Sequence, residues 1–399
     1  MTGGETVGYA ELRAGADRVA RRLAARGVRP GDVVATTLPP GRDFAELVHA
    51  LPRIGAVLAP LDPRAPARPV DVDSPVEGRQ ADVELLDTVD PGAVHSVIHT
   101  SGTTGEAKPV ELTYANHHAS ALASAENLGV DPADRWLCPL PLFHVGGLAV
   151  LLRSAIYATT AVIHDGFHAR AVRESLESGE ATLASLVPTM LSRLRDAGLE
   201  RAPALRALLL GGGPIPAELL DWAAGIGLPV VPVYGMTETS SQVVAGIPGE
   251  PLPGVELSLS DEGEILIRGP MVSSAALASD GWLHTGDSGA LDPDGRLTVT
   301  GRAKDLIVTG GENVAPVEVE EALLAHPAVA DAAVLGLPDA EWGEAVTAFV
   351  VLTGPATAEE LIEHARRRLA PFKVPKRVEQ VAGLPRNAAG KLLRSEVVP

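Results

Sequence analysis

The chain has 399 residues, enough for two domains, since single cores split beyond roughly 250–300 residues. Hydrophobic residues make up 46% and aromatics only 3%, so the core is expected to be Leu, Val, Ala and Ile, and any small-molecule pocket largely aliphatic. Lys plus Arg total 33 against 51 Asp plus Glu, a net charge of −18 that disfavours non-specific attraction to nucleic acid or to an anionic membrane.

One cysteine, Cys138, excludes an intrachain disulfide, and the N-terminus shows no charged region followed by an apolar signal core. No apolar run approaches the roughly 20 residues that span a bilayer. A soluble, cytoplasmic protein without membrane insertion is expected. An anionic ligand would have to be captured by local cations.

In chain order, Leu12, Ala16, Val19, Ala20 and Leu23 follow helical spacing between Tyr9 and Val28, with an Arg-rich solvated face. The segment "PGDVVATTLP" reads as a strand, Phe44 to Leu51 as a helix, and "HSVIHT" as a strand. After these come "ATLASLVP" as a strand, a helix from Thr189 to Ala197, the strand "ALRALLL", a glycine turn, the helix "PAELLDWAAGIG" and the strand "PVVPVYG". Strands alternating with helices predict parallel sheets covered by helices. Residues 63–92, dense in Pro, Asp and Glu, read as a loop or an abbreviated connection. Beyond Gly254 come short strands and turns, then helix, strand, strand and helix from Pro316 to Ala370. The expected fold class is α/β: a large N-terminal domain of helix-covered sheets at residues 1–303, plus a small mobile C-terminal α+β domain at 304–399.

The chemistry concentrates in a few segments. In "TSGTTGEAK" (Thr100 to Lys108), small residues follow an apolar strand, so backbone N–H groups and hydroxyls can close around phosphate oxygens while Lys108 adds charge. Neither the Walker spacing nor GxGxxG is present, and an ordinary polar loop is an equal reading of this segment alone. Further segments follow in order: "LPLFHVGGL" (Leu140 to Leu148), "LLLGGGPI" (Leu208 to Ile215), "YGMTET" (Tyr234 to Thr239), "HTGD" (His284 to Asp287), "GRAKDLIVTGGENVAPVEVE" (Gly301 to Glu320) and "LPRNAAGKLLR" (Leu384 to Arg394). Singly, Glu238 reads as a helix-start carboxylate, Asp287 as a turn residue and Lys391 as a surface lysine. Two decoys are set aside. "GDSGA" (Gly286 to Ala290) looks like the nucleophile loop of trypsin-like proteases, an all-β disulfide-bonded class that this alternating chain does not fit. Cys138 lies in an apolar strand with no basic pattern to activate it.

Taken together, the ordered segments resemble the adenylate-forming acyl-CoA ligase superfamily over nearly the whole chain. The resemblance implies activation of a carboxylic acid by ATP and Mg²⁺ to an acyl-adenylate, then transfer to coenzyme A. It implies that Thr100, Ser101, Gly102, Thr103, Thr104, Gly105 and Lys108 hold the β- and γ-phosphates, that Thr237 bonds the α-phosphate, and that Glu238 ligates Mg²⁺. Gly211, Gly212, Gly213 and Pro214 would edge the nucleotide pocket, Tyr234 would stack on adenine beside Gly235, and Asp287 with Arg302 would grip the ribose hydroxyls. His144, Arg153 and Gly235 would border the acyl group. Lys391 would reach the α-phosphate and the attacking carboxylate only when the small domain closes. Lys304 would be the hinge, with Gly310 and Gly311 approaching coenzyme A in the second conformation.

Within the superfamily, "TYxNH" after the loop, "WLCPLPLFHVGGL" and "LLRSAIYA" look most like the o-succinylbenzoate–CoA ligases of menaquinone biosynthesis. Their substrate keeps a second carboxylate, which Arg153 would pair in two-point geometry. Other aryl or medium-chain acids, a carrier protein as acceptor, and a catalytically silent relative stay open, as does oligomeric state, a homodimer included. Departures from the usual "GxPKG" stand at Ala107 and Pro109, and Asn387 replaces a common Thr.

Overall fold

The computed structural model describes residues 5–64, 71–101, 107–302, 305–386 and 392–397. Three sheets organise them. In the first, β1 (Val33–Thr36), β2 (Val57–Pro60) and β3 (Val94–Ser101) run parallel, and β4 (Ala107–Thr113) returns antiparallel to β3. Helices α1 (Tyr9–Ala25) and α2 (Arg42–Ala50) cover it, with Ala16, Val19, Ala20 and Leu23 buried as their spacing predicts. No regular element separates β2 from β3 among the described residues, in line with an abbreviated connection there.

Part of the segment expected as a loop, Thr100 to Lys108, is instead strand at both ends, with His99 opposite Pro109 and Thr100 opposite Lys108. Pro109 is tolerated because β4 lies at the edge of its sheet, where a missing N–H breaks no outer ladder.

The second sheet has eleven strands and two textures. Its parallel half contains β5 (Arg135–Cys138), β6 (Thr160–Ile163), β7 (Leu183–Leu186), β8 (Ala207–Leu210) and β9 (Val230–Met236). The crossovers are helical, as parallel strands require: α4 (Val145–Tyr157), α5 (Ala169–Glu177), α6 (Pro188–Asp196) and α7 (Ala217–Gly225). From β9 the ladder turns antiparallel through β10 (Ser241–Gly246) and β11 (Gly249–Pro251), then reaches β12 (Glu256–Leu259), β13 (Glu264–Arg268), β14 (Leu283–Leu291) and β15 (Leu297–Arg302). The change of texture after Gly254 is therefore a change of strand direction within one sheet.

Helix α3 (Tyr114–Leu128) packs on α4 and β10. Its start explains part of the "TYxNH" pattern: Thr113 Oγ1 accepts from Asn116 N at 3.1 Å while Asn116 Oδ1 accepts from Thr113 N at 2.9 Å, a reciprocal cap. Asn116 Nδ2 also donates to the carbonyls of Pro270 and Val272, each at 3.0 Å, and His117 Nε2 meets Ser96 Oγ at 2.9 Å.

The third sheet contains β16 (Ile307–Thr309), β17 (Glu312–Val314), β18 (Val329–Asp339), β19 (Gly343–Leu352) and β20 (Arg377–Gln380), with α8 (Pro316–Leu324) and α9 (Ala358–Arg366) over its own apolar cluster. Among the described residues no helix is long and apolar enough to cross a membrane.

Candidate active site

Parallel sheets bind ligands beyond the carboxyl ends of their strands, where loops diverge and backbone groups point outward. Here the first two sheets open onto one cavity of about 2430 Å³. Its wall takes residues from the ends of successive parallel strands: Leu38 after β1, Leu61 after β2, Thr100 in β3, Pro139 after β5, Val187 after β7 and Gly212 after β8. Residues of the third sheet and α8 face the same space.

Tyr234, Gly235, Thr237, Glu238, Asp287 and Arg302 converge on this wall. The phenol of Tyr234 donates to Asp287 Oδ2 at 2.8 Å, and Arg302 Nε lies 2.8 Å from Asp287 Oδ1. Both carboxylate oxygens are thus engaged. Burial, then the charge of Asp287, raises the Tyr234 phenol above its ordinary range, so it stays a neutral donor. Asp287 and Arg302 are opposite each other on β14 and β15.

Thr237 and Glu238 occupy one turn of 3-10 helix, Thr237–Thr239, between β9 and β10. The following residues, Ser240 (φ 53°) and Ser241 (φ 99°), adopt left-handed conformations unusual for non-glycine residues and costing about 1–3 kcal/mol each. Gly235 makes the turn possible: a Cβ there would sit 2.0 Å from the Ser241 carbonyl oxygen. Likewise a Cβ on Gly211 would meet the Val233 carbonyl oxygen at 2.6 Å, and Gly212 has φ 83°. Gly212, Gly213 and Pro214 line the cavity beside these strands.

Glu238 is half-buried, and among the described residues it has no recorded ion pair. A single carboxylate facing a cavity suits Mg²⁺, which keeps waters and substrate phosphate oxygens as its other ligands. The described residues contain no group of three or more His, Cys, Asp or Glu placed to hold a metal ion.

His144 is the N-terminal cap residue of α4, its ring against Phe143 at 4.6 Å between centroids. Phe143 lines the cavity. His144 Nε2 is buried without a hydrogen-bond partner, and burial lowers the imidazole's pKa, which keeps it neutral. Arg153 lies elsewhere on α4, 3% exposed, in the core rather than on the cavity wall. Its Nη2 donates to Ser120 Oγ at 2.8 Å and its guanidinium lies 5.9 Å from the Trp136 ring centre. Among the described residues no carboxylate lies within 4.0 Å of it, and burial lowers its pKa.

Of the proposed phosphate segment, Thr100 lines the cavity with its Oγ1 on the Lys108 carbonyl at 3.3 Å, and Lys108 is exposed. Gly102, Thr103, Thr104 and Gly105 lie outside the described residues, as do Lys304 and Lys391, and the Ser101 side chain is not described. Gly310 (φ 59°) and Gly311 (φ 85°) form the two-residue turn between β16 and β17, a hairpin geometry that needs positive φ at both positions.

Several cavity and surface residues had no role assigned from the sequence. Trp342, in the β18–β19 turn, packs against Gly310, and Lys376 Nζ stands 4.6 Å over its ring. Arg394 pairs with Glu320 and, at 3.3 Å, with Asp305. Ser120 is a small residue within α3. Only its tertiary partners distinguish it.

With this geometry in view, comparison with known proteins is decisive. Residues 1–72 and 69–275 match the AMP-binding enzyme family, and residues 318–391 match the AMP-binding enzyme C-terminal domain. The chain belongs to the AMP-binding enzyme family. The two N-terminal matches meet within the segment read as an abbreviated connection. The 2-succinylbenzoate–CoA ligase of Bacillus subtilis is 37% identical, covering 98% of this chain and 93% of its own length. That of Bacillus licheniformis is 38% identical, covering 100% and 95%. The structure of o-succinylbenzoate CoA synthetase from Bacillus subtilis, in complex with its acyl-adenylate intermediate, matches with a TM-score of 0.91 at 36% identity, covering 98% of this chain and 93% of that one. ATP-bound MatB from Rhodopseudomonas palustris matches with a TM-score of 0.89 at 28% identity, covering 99% and 93%. Backbone likeness alone therefore does not single out one acid within this family.

Proposed function

We propose that this protein is an AMP-forming acid–CoA ligase that converts 2-succinylbenzoate, ATP and coenzyme A into 2-succinylbenzoyl-CoA, AMP and pyrophosphate. The observation that carries the reading is the convergence of Tyr234, Thr237, Glu238, Asp287 and Arg302 on one wall at the carboxyl ends of parallel strands. The identity to the two Bacillus ligases supports the choice of acid.

In the first half-reaction a carboxylate oxygen attacks the α-phosphorus and the bond to pyrophosphate breaks. In the second, the thiol sulfur of coenzyme A attacks the acyl carbon and AMP leaves. Two anions approach each other in the first step, so fixed donors and cations must stabilise the charge that develops. Thr237 would bond the α-phosphate and Thr100 to Lys108 the departing phosphates. Asp287, steadied by Arg302, would accept from the ribose hydroxyls, with adenine against Tyr234. Glu238 would hold Mg²⁺, which when bound offsets phosphate charge. Neutral His144 would border the reacting carboxylate without adding a competing charge.

The reading divides the chain at residues 1–303 and 304–399, with Lys304 as hinge. It takes Lys391 as the cation of the first half-reaction and Gly310 and Gly311 as neighbours of coenzyme A in the second. Trp342 and Lys376, beside that glycine turn, would flank the same ligand. A cytoplasmic location and a homodimeric assembly belong to the same reading. The half-reactions provide its test: Lys391→Ala should abolish acid-dependent pyrophosphate–ATP exchange while retaining thioester formation from supplied acyl-adenylate. Equal loss of both would contradict the division of labour.

A further inference from the structure

The residues assigned to the phosphates of ATP belong to two different sheets. Thr100 and Lys108 lie opposite each other on β3 and β4 of the first, whereas Thr237 and Glu238 lie in the turn between β9 and β10 of the second. A triphosphate can touch both groups only if the two sheets keep a fixed spacing. Residues 269–273, between β13 and β14, join them. Met271 and Val272 are anchored in the apolar cluster of β10, β13 and β14, and Ser273, at the end of the segment, is 1% exposed.

Ser273 reaches in both directions. Its backbone N–H donates to the Glu238 carbonyl at 2.8 Å, and its Oγ donates to the Glu111 carbonyl of β4 at 2.7 Å. Glu111 follows Lys108 on that strand. The destination of the hydroxyl is informative. Ser273 stands at the N-cap of a single turn of 3-10 helix, Ser274–Ala276, where a serine side chain ordinarily accepts from a backbone N–H of the turn. Among the described residues it makes no such bond, and its one proton goes to the other sheet. Neighbouring bonds brace the same segment. Asn116 Nδ2, at the head of α3, donates to the Pro270 and Val272 carbonyls, each at 3.0 Å, and Ser240 Oγ donates to the Met271 carbonyl at 2.9 Å.

We infer that Ser273 is a positioning residue that sets the distance between the residues holding the β- and γ-phosphates and those holding the α-phosphate and Mg²⁺. This rests on the nucleotide roles proposed above. Ser273 is not on the cavity wall and acts through two backbone carbonyls. A change there is therefore felt by a ligand that spans both sheets and not by one that meets a single sheet. ATP spans both. AMP, with its α-phosphate alone, meets only the second.

The test is calorimetric binding of AMP, and of ATP with Mg²⁺, to the unaltered protein and to Ser273→Ala, without any acid. The variant keeps the backbone N–H and loses only the bond to β4. It should weaken ATP about tenfold, the worth of one buried hydrogen bond, while AMP changes by less than about twofold. Ser273→Thr, which retains the hydroxyl, should keep the ratio of the two affinities within about twofold of the unaltered protein. A packing role would weaken both nucleotides by the same factor, and the ratio cancels any such common loss of folded protein. A ratio in Ser273→Ala within about twofold of the unaltered protein would overturn the inference. If the unaltered protein binds neither nucleotide, the proposed nucleotide roles fail and the inference fails with them.

Discussion

Tyr234 and Asp287 share a hydrogen bond of 2.8 Å across two strands 53 residues apart in sequence, with Arg302 on the other carboxylate oxygen. Asp287 is thereby fixed in orientation before any nucleotide arrives, so little ordering remains to be done on binding. Asp287→Asn should raise the KM for ATP about 10–100-fold, since it removes a charged acceptor from hydroxyl donors, each such bond being worth about 1.5–3 kcal/mol. Tyr234→Phe keeps the ring and loses only the phenol, so its effect should be several-fold smaller. Initial rates of pyrophosphate exchange against ATP concentration distinguish the two; equal effects would mean that the phenol, not the ring, dominates.

Arg153 makes the opposite kind of prediction, separating stability from function. Arg153 is buried and has no carboxylate partner among the described residues; such a guanidinium is costly to fold, and a well-packed apolar replacement is often neutral or stabilising. Arg153→Met should keep or raise the thermal midpoint. With its side chain in the core and off the cavity wall, the same change should leave the KM for 2-succinylbenzoate unchanged. A large rise in that KM, absent for the analogue that lacks the ring carboxylate, would instead place Arg153 in substrate recognition.

A cluster of buried histidines sets the acid limit of stability. Burial lowers His95 to about 3 and His117 well below its ordinary value, with nearby His95 and Arg153 adding to the effect on His117. His49 is also lowered by burial. The unfolded chain takes up these protons near pH 6.5, whereas the folded protein does not. Stability is therefore fully present above about pH 6.5 and declines as pH falls below it toward the folded values. Urea midpoints should drop from pH 7.5 to 5.5, and His95→Phe should flatten that slope. A midpoint that rises on acidification would refute the assignment.

Gly235 and Gly211 should resist replacement for reasons of space alone. A methyl at Gly235 would lie 2.0 Å from the Ser241 carbonyl oxygen, and one at Gly211 2.6 Å from that of Val233, both backbone atoms that cannot step aside. Either alanine variant should lower the thermal midpoint through the roughly 1–3 kcal/mol typical of overpacking. Gly235→Ala should also reduce exchange activity more than its stability loss explains, because it displaces the turn carrying Thr237 and Glu238. Thermal melts run beside exchange assays would show whether the two losses part company.

What the sequence disclosed follows from what local pattern can carry. The spacing of Leu12, Ala16, Val19, Ala20 and Leu23 exposed α1, and apolar runs such as "ALRALLL" exposed the buried parallel strands, because burial on both faces leaves little alternation. β4 was not legible since "EAKPVELT" pairs a proline with charged residues, a composition acceptable only at a sheet edge, and edge position is a tertiary fact. Residues 254–302 gave their strand character correctly but not their membership of the larger sheet, which depends on β11 meeting β15 at Gly249 and Leu297. Tyr234, Thr237, Glu238, Asp287 and Arg302, which share the cavity wall, all lie in the ordered segments singled out from the sequence. Ser120 was not singled out, since its meaning lies in Arg153 and Ser240, 33 and 120 residues away.

The most direct test of the central claim is pyrophosphate–ATP exchange by the full chain over a panel of carboxylic acids. The account predicts Mg²⁺-dependent exchange that requires 2-succinylbenzoate, followed by 2-succinylbenzoyl-CoA formation when coenzyme A is added. Exchange with simple benzoates or fatty acids but not with 2-succinylbenzoate, or no exchange with any acid despite bound ATP, would contradict it.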